Sequence, residues 1–310
     1  MSVTLSDLPL AGTVATGGWA EVLRRLVRDP QGLFALVVVL LFVGSALAAP
    51  ALAPYDPDQI GIRSRMQGPS LLHWLGTDQL GRDTLSRVLY GGRIALTIAI
   101  VSICVSLSLG LLLGILAGYG PRWLDNLLLL VMDAVRSFPA VIMAMAVVAL
   151  TGPSLTIVLV IIIVTSIPSY ARLARTSTLV LKSADFITAE RSLGATPWRI
   201  MLRHLLPNIA GPLLILGAMD VPVVVTVEAG LSFLGLGVLP PTASWGTILN
   251  EGYLVIRETP WPVFAGGVPL VLTTLGFTFL GESLRDLLDP RLRGSRGATC
   301  SRCAASRSTS

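Results

Sequence analysis

Few side chains in this 310-residue sequence are of types that run chemistry, and their spacing closes most routes. Cys300 and Cys303 form a C-x-x-C, the spacing of zinc and dithiol sites. No second cysteine pair or histidine lies near them, and the Ser/Arg-rich tail around them reads as disordered after about residue 293. Cys104 lies inside an apolar run, where a small apolar residue is the simpler reading. Asp220 and Glu228 share another apolar run eight residues apart, about 12 Å along a helix, too far for a carboxylate dyad. Both are candidates for lining or gating a path through a membrane, since an intramembrane acid is a functional suspect by default. For Glu228, holding the adjoining external loop is an equal alternative. There is no G-x-x-x-x-G-K-[ST] phosphate loop, so the chain is not expected to hydrolyse ATP, and no cofactor or metal is implied.

What remains is a docking chemistry. The stretch ADFITAERSLGATPWRIMLRHLLPN, Ala184 to Asn208, is charged and helix-forming between two apolar runs. Asp185 reads as the N-cap of a first helix and Gly194 as its left-handed C-cap. Thr196 caps a second helix with Pro197 at its first position, and Leu206-Pro207 closes it. Two short helices around a glycine turn make a knob that fits a cleft on a soluble protein, expected to present Phe186, Ile187, Leu193, Trp198 and Met201. The other reading is an interfacial helix pair lying on the bilayer.

The elements that position this stretch are membrane spans. The chain is 53% hydrophobic and 13% charged, with mean hydropathy +0.76. Its apolar residues gather in six blocks near 33–53, 94–118, 127–150, 154–171, 211–236 and 262–281, each about the 20 residues that cross a bilayer as helix. Alternating ten-residue strands are absent, so the expected fold class is an all-α integral membrane protein with six transmembrane helices. Residues 45–49, Ser-Ala-Leu-Ala-Ala, imitate a signal-peptide cleavage site, but the long arm before a full-length apolar block favours an uncleaved anchor. Threaded through six spans, the N-terminal arm, the second and fourth loops and the tail carry 16 Lys and Arg, against 6 in the opposite segments. Both termini and the 182–208 loop are therefore expected on the cytoplasmic side. The net charge of +5 is this bias and gives no ground for nucleic-acid binding. His73 and His204 then face opposite sides of the membrane, which rules out a His-based catalytic cluster. The expected divisions are an arm at 1–30, a first span and external loop at 31–93, a membrane core at 94–284 and a tail at 285–310.

Within that plan the external loop carries HWLGTDQLGRDTLSRVLYGGR. Gly76 and Gly81 allow turns on either side of Thr77-Asp78, and Leu80, Leu85, Val88 and Leu89 fall on one face of an amphipathic helix leading into span two. Thr151 to Ser154 is a tight turn that makes spans three and four antiparallel neighbours. Asp133 and Arg136, three apart, are expected to neutralise each other, with Pro139 and Pro168 kinking their helices.

The Ala184 to Asn208 stretch resembles the EAA loop of permease subunits in binding-protein-dependent ABC importers, whose pattern is E-A-A, three residues, Gly, nine residues, Ile, one residue, Leu-Pro. Counted from Gly194, the triplet falls on Thr188, Ala189 and Glu190, the Ile position on His204, and Leu-Pro on Leu206-Pro207. Thr188, Glu190 and His204 depart from the pattern. LGTDQLGRDTLSRVLYGGRIAL, EAGLSFLGLGVLPPTASWGTIL and LRDLLDPRLR are similar to the second, C-type permease subunit of dipeptide, oligopeptide and nickel importers, with departures at Ala265-Gly266, Thr278 and Glu282. The resemblance runs from about Gly32 to Arg293. It implies the ABC type I importer permease fold and a plasma-membrane location in a bacterium or archaeon. The implied partners are a homologous second permease, two cytoplasmic ATPase subunits and an extracytoplasmic solute-binding protein. The implied ATPase-coupling loop comprises Asp185, Phe186, Ala189, Glu190, Gly194, Ala195, Trp198, Ile200, His204, Leu206 and Pro207. A peptide is the implied cargo, with nickel or another small solute as the alternative; an ATP-independent secondary transporter is the rival without ATPase partners.

Overall fold

The computed structural model describes Arg24 and residues 26–288, so the Cys300-Cys303 pair, the tail after 288 and most of the N-terminal arm lie outside the described residues. Helix α1, Pro30–Leu47, begins where Asp29 accepts the Gly32 N–H at 3.1 Å with Pro30 in the first turn. Helix α2, Thr84–Tyr119, begins the same way: Asp83 accepts from the Ser86 amide at 2.8 Å and the Ser86 hydroxyl at 2.7 Å. That cap sets the start ten residues before the expected span. The amphipathic segment and span two are therefore one helix of 36 residues, about 54 Å long, and Leu80 lies in the turn before it. Gly76 and Gly81, both at φ +74°, make the two expected turns.

Span three is broken rather than kinked. Helices α3, Arg122–Arg136, and α4, Ala140–Thr151, meet at 81°. Pro139 supplies no amide hydrogen and disfavours helical geometry at Phe138, so no hydrogen-bonded turn crosses the junction. Helix α5, Leu155–Lys182, follows the turn at Gly152, continues unbroken through Pro168 and extends eleven residues past the apolar block. Helix α6, Asp185–Ser192, leads to α7, Pro197–Phe233, then α8, Trp245–Leu254, and α9, Trp261–Leu288. Helices α1, α2, α5, α7 and α9 are long and apolar enough to cross a membrane, and the bent α3–α4 pair makes a sixth span if it is counted as one. Among the described residues the only β contact is an isolated bridge between Thr77 and Asp83.

Helices α2 and α5 form the spine of the bundle. Gly110, Gly114 and Gly118 recur every four residues along one face of α2, opposite Tyr170, Ala174 and Thr178 of α5. A Cβ on Gly114 would lie 2.4 Å from the Ala174 Cβ and 2.5 Å from the Ala171 carbonyl oxygen, so the two backbones touch there. The expected Asp133–Arg136 pair does not form. Asp133 instead accepts from Arg172 of α5 at 2.8 Å, and Arg136 donates to the Ser169 hydroxyl at 3.2 Å. A neighbouring helix presents a better-placed guanidinium than one turn of the same helix does.

At the end of the bundle opposite α6, a buried ionic clasp ties the 76–87 segment to α8. Glu251 receives Arg82 Nη2 at 3.0 Å and Arg87 Nη2 at 3.1 Å, while Asp78 receives Arg82 Nε at 2.6 Å and lies 3.4 Å from Arg87 Nη1 as an ion pair without a hydrogen bond. Trp245 Nε1 donates to the Val88 carbonyl at 2.9 Å beside it. Removing one carboxylate from such a cluster strands buried guanidinium groups, which costs about 3 kcal/mol. Glu251→Ala is therefore expected to lower the thermal midpoint of the detergent-solubilised protein by several degrees, with Glu251→Gln intermediate. A midpoint unchanged in both variants would show that the clasp does not hold this end.

Candidate functional site

The Ala184 to Asn208 stretch folds as a hairpin of helices mounted on an apolar anchor. The N-cap position of α6 is Ala184, whose side chain makes no cap. Asp185, expected to be the cap, is one residue inside, where its charge favours the helix N-terminus. At the other end Gly194 sits at φ +81°, its N–H donating to the Arg191 carbonyl at 2.9 Å, while the Ala195 N–H donates to the Glu190 carbonyl at 3.0 Å. These paired bonds close a Schellman turn. The Thr196 hydroxyl then accepts the Arg199 N–H at 3.4 Å, with Pro197 in the first turn of α7.

Leu206-Pro207 does not end the second helix. Residues Met201–Leu205 widen into a π turn, the Leu206 N–H reaching the Met201 carbonyl, and the helix continues into the membrane. The wider turn accommodates Pro207, which has no N–H to offer the preceding turn. The Asn208 side chain donates to the His204 carbonyl at 2.6 Å beside it.

Two of the five side chains expected to be presented are instead the anchor. Ile187 and Met201 are buried with Ile200, Leu205, Ile209 and Leu213 against Ile115 of α2 and Tyr170 and Ala174 of α5. An amphipathic pattern says that one face is buried, but not which of several apolar residues lie on it. Leu193, Trp198 and Phe186 are exposed by 84%, 63% and 45%. Asp185, Ala189, Gly194, Leu206 and Pro207 are also exposed, Glu190, Ala195 and His204 are half-buried, and Ile200 is buried. The root of the hairpin is pinned by Lys182 Nζ, which donates to the carbonyls of Gly118 at 3.3 Å and Tyr119 at 3.1 Å. Arg175 grips Asp125 at 2.7 Å a little further along α5. The hairpin is therefore mounted on α5 and α7 and leaves Phe186, Leu193, Trp198 and Leu202 exposed.

The sequence departures Glu190 and His204 meet in space, with His204 Nε2 3.4 Å from Glu190 Oε1 across the two arms of the hairpin. Their separation of fourteen residues, counted across a glycine turn, was the available signal.

The two intramembrane acids part company. Asp220, near the middle of α7, lines a cavity of about 230 Å³ together with Ala140, Ile162, Thr165, Ser166, Ser169, Val223, Val224 and Val227. The buried Tyr170 hydroxyl lies beside Asp220 without a well-formed hydrogen bond. Glu228 is fully buried and accepts from the Ser232 hydroxyl at 2.8 Å, and that hydroxyl oxygen in turn accepts the Val238 N–H at 3.2 Å. This geometry holds the segment after α7; it does not line the cavity.

Residues 110–294 match the family described as binding-protein-dependent transport system inner membrane component, and residues 18–69 match the N-terminal TM domain of oligopeptide transport permease C. The glutathione transport system permease protein GsiD of Pectobacterium atrosepticum is 40% identical over 276 residues, covering 89% of this chain and 92% of that protein. The dipeptide transport system permease protein DppC of Alkalihalophilus pseudofirmus is 34% identical over 279 residues, covering 90% and 92%. In structure, the MetNI methionine ABC transporter in an inward-facing conformation superposes with a TM-score of 0.53 at 22% identity, over 65% of this chain and 96% of that one, which is a likeness of fold. The chain belongs to the family of inner membrane permease components of binding-protein-dependent ABC transport systems.

Proposed function

We propose that this permease forms half of the translocation path of an ATP-driven importer of peptides, and that the 185–205 hairpin is where ATPase subunits drive it. Both termini and the hairpin face the cytoplasm, in keeping with the excess of Lys and Arg on that side. A homologous permease supplies the other half, two cytoplasmic ATPases supply hydrolysis, and an extracytoplasmic binding protein delivers the cargo. The single observation that carries the coupling role is the pairing of a rigid apolar anchor with exposed Phe186, Leu193 and Trp198. Movement of an ATPase cleft around those side chains would tilt α5 and α7 together, the rigid-body motion that alternating access requires. Peptide cargo is supported by the glutathione and dipeptide systems to which the relatives belong.

Trp198→Ala tests the coupling surface. An exposed aromatic anchor in a cleft is a typical interface hot spot, worth about 2 kcal/mol or more. ATPase co-purification from detergent-solubilised membranes should fall at least tenfold while permease level stays unchanged. Undiminished co-purification with normal uptake would remove Trp198 from the contact.

A further inference from the structure

Asp220 makes no ion pair among the described residues. An aspartate near the centre of an apolar helix persists where it faces a paired charge or a water-filled cavity. Two guanidinium groups on α3 and α5 have other partners: Arg172 pairs with Asp133 at 2.8 Å, and Arg136 donates at 3.2 Å to Ser169, itself on the cavity wall. The cavity wall around Asp220 is otherwise hydroxyl-bearing, from Thr165, Ser166 and Ser169 on one turn of α5, backed by Val223, Val224 and Val227. Thr165 spends its proton on the Ile161 carbonyl at 2.8 Å, which leaves its oxygen as an acceptor facing the same space. The wall is thus one carboxylate among hydroxyls whose oxygens can accept, with the Tyr170 hydroxyl beside it, Arg136 held at the Ser169 edge, and no cation paired with the acid itself.

We infer that a cation for this acid arrives with the cargo: Asp220 and the α5 hydroxyls form a binding site for a primary ammonium group on the transported solute. A free peptide amino terminus has that chemistry, so the site rests on the peptide-import reading and deepens it. An ammonium presents three donors, which Asp220 and two of the hydroxyl oxygens can accept at once. Such a site, weak and midway through the membrane, would orient the amino end of a cargo without trapping it.

The test uses the complete transporter, with its partner permease, ATPases and binding protein, reconstituted in proteoliposomes. Initial uptake of radiolabelled alanyl-alanine and of glutathione is measured alongside binding-protein-stimulated ATPase. Asp220→Asn should lower uptake about tenfold or more with ATPase stimulation preserved, and Asp220→Glu should retain most of it. Because a substitution beside Tyr170 can also disturb packing, Asp220→Cys is made with Cys104, Cys300 and Cys303 replaced by Ser. An anionic sulfonatoethyl methanethiosulfonate should restore uptake there, and a cationic trimethylammonium-ethyl reagent should not. Uptake by Asp220→Asn within twofold of wild type would overturn the site and leave peptide import standing, as would equal failure of both reagents to restore the cysteine variant. A wild-type complex that imports neither probe would remove the peptide reading, and the ammonium site with it.

Discussion

Gly194→Pro should abolish uptake and ATPase association while leaving the amount of protein in the membrane unchanged. Proline fixes φ near −65°, against the +81° of Gly194, and removes the N–H that bonds the Arg191 carbonyl. The Schellman turn then cannot form, and α6 loses its set angle to α7. The spans insert by their own apolarity, so the lesion stays local. Gly194→Asn separates geometry from glycine as such: the added Cβ meets nothing within 4 Å, and asparagine tolerates the left-handed region. It should retain most activity, and Gly194→Ala should fall between, with a strain of about 1 kcal/mol. Co-purification of ATPase with the proline variant at the wild-type level would mean that the turn does not shape the contact.

Gly114→Leu should destroy the folded protein rather than its coupling. Its Cβ would overlap the Ala174 Cβ at 2.4 Å and the Ala171 carbonyl, backbone-bound atoms that cannot swing aside. Helices α2 and α5 must separate, which also opens the cluster of Ile115, Tyr170 and Ala174 beneath the hairpin. The cost is about 3 kcal/mol or more for forced overpacking. Size-exclusion profiles of the detergent-solubilised variant should lose the monodisperse peak. Gly217→Ala is the control, because its Cβ would meet only the ends of Ile103 and Leu107 at 3.2 Å, and its peak should survive. A normal peak for Gly114→Leu would refute the close α2–α5 contact.

The spans were legible in the sequence because apolar length reports directly on bilayer thickness, but their true extents were not. Helix α2 begins at an aspartate cap outside the apolar block, and α5 carries Arg172, Arg175 and Lys182 on helical turns that run past the lipid-soluble stretch. The glycine turn at Gly194 and the Thr196-Pro197 start were readable because each is a local backbone requirement. Pro207 misled, since proline disfavours a helix interior, yet this helix continues past it after a π turn and takes in Pro212 and Pro222 as well. Pairings across the fold were beyond local rules. Glu251 meets Arg82 and Arg87 over 169 and 164 residues, and Asp133 chooses Arg172 over its neighbour on α3. The Asp78–Arg82 and Asp83–Arg87 spacings, both i to i+4, hinted at charge pairing in that loop. Of these, Asp78 does pair with Arg82, while Asp83 turns to His73 at 2.9 Å.

The central claim, that the hairpin is the cytoplasmic contact through which ATPases drive this permease, is tested most directly by Leu193→Cys. Leu193 is the most exposed large apolar residue of the hairpin, and the variant is made with the native cysteines replaced by Ser. In membranes holding the whole transporter, a bifunctional maleimide should join residue 193 to an ATPase subunit, with a yield that changes when ATP and vanadate trap the complex. A membrane-impermeant maleimide added outside intact cells should not reach it. Labelling from outside, with no cross-link to the ATPase in any nucleotide state, would contradict the account.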